Sequence, residues 1–346
     1  MTEAPPKGIG SVIPAAEPDG ASSSRLTVWA AWTADQAESR AFSTARAALA
    51  PLLAARAIKR LWLPAYICGA VVEGATRAGV ELAWYGVDDR LTADIESMRA
   101  ALAPGDAVFV VAWFGRPIEA ALQALAADFP DILIIEDRAQ ALDPGPGIEG
   151  AVRLYSPRKL LGVADGGLLV GTGLPRPVTQ PSLPGLWTVN ERRGADVEGR
   201  NPERWFPAYQ AREAAFDAEP RRCSERTLAA LAFIDFRHEA DARRRNWQDL
   251  AGQLHACALW TIPAPDFAPL AFPVVVSDAA GLVTHLAEKR IWAARHWANL
   301  PSPESFGDAH RLSRHCVSLP LDGRYGPTDM LRMAEAVLAF ADAQPR

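Results

Sequence analysis

Three stretches of the chain carry residue types whose order and spacing suit chemistry rather than packing alone. In Ile132-Leu133-Ile134-Ile135-Glu136-Asp137-Arg138-Ala139-Gln140, four aliphatics read as a buried strand and two acids stand where it emerges. A carboxylate at such a mouth can be a metal ligand, a base, or the counter-ion of a protonated ring; the alternative is an acid that caps the next helix. In Tyr155-Ser156-Pro157-Arg158-Lys159-Leu160-Leu161-Gly162, followed by Asp165-Gly166-Gly167, a lysine sits among aliphatics and tight turns. Partial burial favours the neutral amine, which is the nucleophile a Schiff base requires; the alternative is a solvated loop lysine that lies near glycines. In Phe42-Ser43-Thr44-Ala45-Arg46-Ala47-Ala48-Leu49, small hydroxylated residues open a helix. The free N–H groups and dipole of such a start suit a phosphate, and a plain N-cap is the alternative.

Taken together, these three features are what pyridoxal phosphate (PLP) needs. A cup holds the phosphate, a strand-end Asp keeps the pyridine nitrogen protonated, and a downstream Lys bonds the aldehyde carbon.

Elements that could bring the three together alternate along the chain. Helical runs are expected at Ala45 to Ala57, Gly69 to Ala78, Leu91 to Leu102 and Ile118 to Ala127. Strands are expected at Leu61 to Pro64, Glu81 to Val87, Ala107 to Trp113, Ile132 to Ile135, Val152 to Tyr155 and Gly167 to Val170. Short apolar runs separated by helices imply an α/β fold whose strands are mostly parallel, with crossover helices. In such sheets functional groups collect at the carboxyl ends of the strands. The Pro- and Gly-dense stretch Gly173 to Arg200 reads as a long loop, and Ser224 to about His255 as a long helix. A second α/β unit follows: strands Ala271 to Val276 and Cys316 to Leu319, helices Gly281 to Lys289 and Thr328 to Ala343. The expected division is a flexible tail over residues 1–24, a large domain over 25–223, and a linking helix with a smaller C-terminal domain over 224–346.

Composition narrows the partners. The 346 residues carry 36 basic and 41 acidic side chains, a net charge of −5, which does not suit a nucleic-acid or membrane-surface protein. No apolar run reaches the ~20 residues of a membrane-spanning helix, and the start lacks the layout of a signal peptide. Four scattered cysteines (Cys68, Cys223, Cys257, Cys316) form no C-x-x-C pair, so reduced thiols and a cytoplasmic setting are expected. The six histidines lack metal-site spacing, and no metal is expected.

The same segments, in the same order, resemble the DegT family of PLP-dependent nucleotide-sugar aminotransferases, of the aspartate-aminotransferase-like superfamily. The likeness rests on Thr44-Ala45-Arg46-Ala47-Ala48-Leu49, Pro64-Ala65-Tyr66-Ile67-Cys68, Glu136-Asp137-Arg138-Ala139-Gln140, Ser156-Pro157-Arg158-Lys159 and Gly166-Gly167. Weaker landmarks continue it: Arg222-Cys223-Ser224, Arg244-Arg245-Asn246-Trp247, Trp297 and Leu319-Pro320-Leu321. The family's loop glycine is Ala45 here, and its Asn-Tyr-Arg segment has no clear match beyond Arg221 and Arg222.

The resemblance implies the fold type I architecture of PLP-dependent transferases. It implies that Lys159 holds PLP as the internal aldimine and moves the proton between substrate and cofactor. Asp137 would pair with the pyridine nitrogen, Gln140 would meet the ring hydroxyl, and Ser156, Thr44, Ala45 and Arg46 would hold the phosphate. Tyr66 would lie near the ring face, with Cys68 as the competing position; Trp113 and Phe114 are core in the alternative reading of their strand end. Arg222, His296 and Trp297 are candidate substrate contacts. The activity implied is transfer of an amino group from an amino acid such as glutamate to a keto sugar, nucleotide-linked, in a homodimer. The alternatives are another PLP-dependent reaction, such as a lyase or dehydratase, and a regulatory or binding protein without turnover. Lys159 argues against the sugar-dehydratase relatives, which lack that lysine.

Overall fold

The protein is described by a computed structural model over residues 6–18, 25–34, 38–143 and 145–343. Its organising element is a seven-stranded sheet of β1 (Glu38–Phe42), β2 (Arg60–Pro64), β3 (Glu81–Tyr85), β4 (Asp106–Val111), β5 (Leu133–Asp137), β6 (Val152–Tyr155) and β7 (Gly167–Gly171). The spatial order is β1-β7-β6-β5-β4-β2-β3. Only β7 runs against the rest, pairing antiparallel with β1 and β6. The other neighbours are parallel. β4 and β5 are buried at every position, as strands covered on both faces must be. The expected α/β architecture with a mostly parallel central sheet is the one found.

A smaller antiparallel pair, β8 (Ala271–Val275) with β9 (Cys316–Pro320), lies on the C-terminal part of the chain. The long helix Phe236–Leu254 packs there, its Trp247 ring 4.7 Å from that of Phe272. Most apolar residues of both sheets belong to one continuous buried cluster, reaching from Leu49 and Phe109 to Trp247 and Met333, while Tyr155, Leu168 and Val170 belong to a second.

Several elements depart from the sequence expectation. Gly173 to Arg200 is not all loop: Thr188–Ala195 is helical, with Asn190 and Arg193 buried. The run from Ser224 divides into Glu225–Leu231, capped by Ser224, and Phe236–Leu254, capped by Asp235. Phe206–Ala215 and Gly307–His315 are further helices that sequence reading left out. Residues 6–18, expected within a mobile tail, lie against the rest of the chain. Ile9 and Gly10 pair in parallel with Ile291 and Trp292, and Ile9 is fully buried.

Candidate active site

The carboxyl ends of β1, β2, β4, β5 and β6 converge on one edge of the sheet, and β7 begins there. Along that edge lies a cavity of about 710 Å³. Of the residues singled out in the sequence, Thr44, Ala45, Arg46, Asp137, Gln140, Ser156, Lys159, His296 and Trp297 all line it, although up to 253 positions separate them in the chain. Tyr66 and Arg222 do not.

Thr44 ends the extended segment after β1 and caps the helix Ala45–Ala55, its hydroxyl accepting the Ala47 amide at 3.1 Å. The first-turn amides of Ala45 and Arg46 have no partner within the helix, and both residues line the cavity. Ala45 has no positive φ, so its methyl group fits a helix start without strain. The glycine requirement is met elsewhere. The Gly166 amide donates to Ser43 O at 2.7 Å, and a Cβ on Gly167 would sit 2.2 Å from the carbonyl carbon of Thr44. The Gly166-Gly167 pair therefore lets β7 press the cup into shape from behind. Ser156, buried beside the cup, makes no hydrogen bond as the cap of its helix Pro157–Leu160.

Asp137 closes β5 with its Oδ1 accepting the Ala139 amide at 2.8 Å. Burial pushes its carboxyl up, and the charge of Lys159 pulls the other way. Its sequence neighbour Glu136 points to the opposite face, where Arg138 pairs with it at 2.9 Å. Gln140 offers the clearest sign of a missing partner. Its Oε1 accepts the Phe114 amide at 2.7 Å, while Nε2 is buried without a hydrogen-bond partner among the described residues. A buried, unanswered donor and a desolvated acid on one wall fit a ring that supplies an oxygen and a cationic N–H. The cup and the serine fit its phosphate. The residues present therefore match PLP.

His296 enters from the strand-poor segment after Ile291–Trp292, its Nδ1 2.8 Å from Ser318 Oγ. Burial first and Lys159 second hold its pKa down to about 4, so the ring is neutral at ordinary pH. Trp297 follows it, 5.4 Å from the ring of Tyr66.

Two placements correct the sequence reading. Tyr66 is wholly buried beneath the site, where burial raises its phenol and Cys316 adjoins it; Ile67 and Cys68 are the residues of that segment that reach the cavity. Arg222 pairs with Glu225 at 3.5 Å on a half-exposed surface. Its segment serves the fold instead, bridging Phe42 beside the cup. Trp113 and Phe114 are buried, as the core reading of them expected.

Sequence reasoning missed one wall entirely. Asn190, Arg212 and Glu213 line the cavity from the unforeseen helices, with Arg158 facing them. Arg243, on the long Phe236–Leu254 helix, is buried and donates to Leu160 O, just after Lys159. Among the described residues there is no group of three or more His, Cys, Asp or Glu side chains that could hold a metal ion. No described helix is long and apolar enough to cross a membrane.

No family model and no curated protein matches the chain. Solved structures do. The sugar aminotransferase CalS13 from Micromonospora echinospora is 19% identical, with 96% of this chain and 99% of that one covered at a TM-score of 0.66. A DegT DnrJ EryC1 StrS aminotransferase from Brucella abortus is 17% identical, covering 90% and 88% at 0.64. The E. coli GDP-4-keto-6-deoxy-D-mannose-3-dehydratase, solved with bound hydrated PLP, is 14% identical, covering 90% of each chain at 0.60. These likenesses extend over nearly the whole chain, and they establish that it has the fold of the aminotransferases and dehydratase to which it is similar.

Proposed function

We propose that the protein is a PLP-dependent aminotransferase that moves an amino group from an amino acid such as glutamate to a keto sugar, nucleotide-linked. The observation that carries this reading is the meeting of Lys159, Asp137, Gln140 and the Ala45–Ala55 helix start around one cavity. The similarity to CalS13 supports the substrate class. Working as a homodimer in the cytoplasm belongs to the same reading.

Thr44, Ala45, Arg46 and Ser156 would hold the phosphate, Asp137 the ring nitrogen and Gln140 the ring oxygen. Bound there, PLP supplies an electron sink for the substrate carbon next to the amino group. Lys159 is the one lysine among the described residues lining the cavity, and it would take the proton from that carbon and return it. Burial raises the Asp137 carboxyl and the Lys159 charge pulls it down, and a protonated ring nitrogen held there would favour its charged form. The neutral His296 adds no positive charge against Lys159.

The test is spectroscopic. PLP added to the purified chain should produce a visible band near ~420 nm that bleaches with an amino donor. The Lys159→Ala chain should lose that band. A chain that yields no band with PLP would leave only the reading of a binding protein without turnover.

A further inference from the structure

The wall that sequence reading missed contains an arrangement to which the roles assigned above give no part. Arg158 directly precedes Lys159 and lines the same cavity. Its Nη1 donates to both carboxylate oxygens of Glu213, at 2.9 and 2.7 Å. Arg212 reaches the same carboxylate at 3.5 Å through Nη2, and its Nη1 donates to Asn190 Oδ1 at 2.6 Å. Aromatic faces support both guanidinium groups, Phe216 at 4.8 Å from Arg158 and Tyr209 at 5.6 Å from Arg212.

Donors exceed acceptors here. The Nε atoms of Arg158 and Arg212 are both buried without a hydrogen-bond partner among the described residues. The Arg212 side chain is only 7% exposed and that of Arg158 14%. Two guanidinium groups share the Glu213 carboxylate, and the buried Asp165 acts on Arg212 without a hydrogen bond to it. Over the whole cavity five basic side chains face three acidic ones, in a chain whose net charge is −5. Glu213 is also the most exposed member, at 27%. It hangs from the Phe206–Ala215 helix rather than from the sheet.

We propose that Arg158 and Arg212 form a carboxylate subsite beside Lys159, and that Glu213 occupies it as an internal stand-in which a carboxylate-bearing substrate displaces or shares. A planar guanidinium with a free Nε edge matches a carboxylate's two oxygens. In the proposed reading a phosphate would take its own place at the Thr44 cup. The inference rests on the aminotransferase reading and deepens it by naming the charge its substrate carries. The carboxylate belongs either to the amino donor or to an acidic sugar acceptor.

Calorimetric titration of the full-length protein, with PLP bound and without it, separates these sources. Glutarate against glutaramide reports a donor-like carboxylate, and glucuronate against glucose reports an acidic sugar. For the charged member of the responsible pair, Arg158→Gln should weaken binding about tenfold or more, and Arg158→Lys by less. Glu213→Gln should tighten it several-fold by removing the competitor, while the neutral member binds equally to all variants. If Arg158→Gln does not fold, as judged by its melting curve, Glu213→Gln alone decides: charged-probe binding that is unchanged or weaker overturns the proposal. It is also overturned if neither carboxylate prefers the wild type, or if uridine diphosphate alone shows the Arg158 dependence. Failure of the ~420 nm band would count against the PLP reading and leave these titrations interpretable.

Discussion

The side-chain oxygen of Gln140 accepts the backbone amide of Phe114 at 2.7 Å, which fixes which end of the amide faces the cavity. The two residues belong to neighbouring strand ends, and Phe114 holds a positive φ of 54°. Gln140→Ala should therefore have two effects. Cofactor affinity should fall about tenfold, and the cofactor-free protein should lose about 1–3 kcal/mol because the Phe114 amide is left buried and unpaired. PLP titration followed by absorbance, with a denaturant melt of the cofactor-free chain, measures both.

Gly167→Ala should damage the cup without touching a cavity side chain. The added methyl group would meet Thr44 C at 2.2 Å and Ala45 N at 2.4 Å, both backbone atoms that no rotamer change can move. A loss of about 1–3 kcal/mol is expected from such overpacking, together with weaker PLP binding. A variant that keeps its melting temperature and its PLP affinity would show that the strand and the cup do not press on each other.

The depressed pKa of His296 sets the sign of a pH effect. Its folded value is about 4, below the ordinary 6.5, because burial and Lys159 both oppose the charged ring. The unfolded chain therefore binds the extra proton first. Stability should fall as pH drops from about 6.5 toward 4, and this contribution should be fully present above that window. His296→Gln should flatten this part of a melting-temperature profile measured from pH 7 to 4. An unchanged slope would mean that the ring is not buried as described.

Tyr66→Phe should change little. The Tyr66 hydroxyl, next to Cys316, makes no hydrogen bond of ordinary geometry and is closed off from the cavity. Removing a buried hydroxyl whose polar neighbour is the weakly bonding Cys316 thiol should alter stability by less than about 1 kcal/mol, in either direction. The visible spectrum with PLP should be that of the wild type.

What could be read in the sequence was what local pattern determines. β4, β5 and β6 announce themselves as short apolar runs, and the acid, glutamine and lysine follow at their ends. β1 did not, because Glu38-Ser39-Arg40-Ala41-Phe42 has no apolar alternation and owes its strand state to pairing with β7. The Thr188–Ala195 helix is polar and sits in a Pro- and Gly-rich stretch, so its signal was masked. It is held from outside instead: Asn190 donates to Ile13 O at 2.8 Å and accepts from Arg212. Tyr66 and Cys68 are two residues apart, and nothing local tells which one the turn after β2 sends into the cavity. Arg158 and Glu213 are 55 positions apart, a pairing that only the folded chain makes visible.

The opening residues of the chain have a practical bearing on any attempt to work with this protein. Gly10 to Ile13 form part of the cavity wall, anchored by Tyr325 Oη on the Gly10 amide at 2.7 Å and by Arg324 on Val12 O at 2.7 Å. A shortened clone that begins after Ile13 would breach the chamber rather than trim a dispensable leader. Any change in which compounds such a shortened chain binds would trace to that breach.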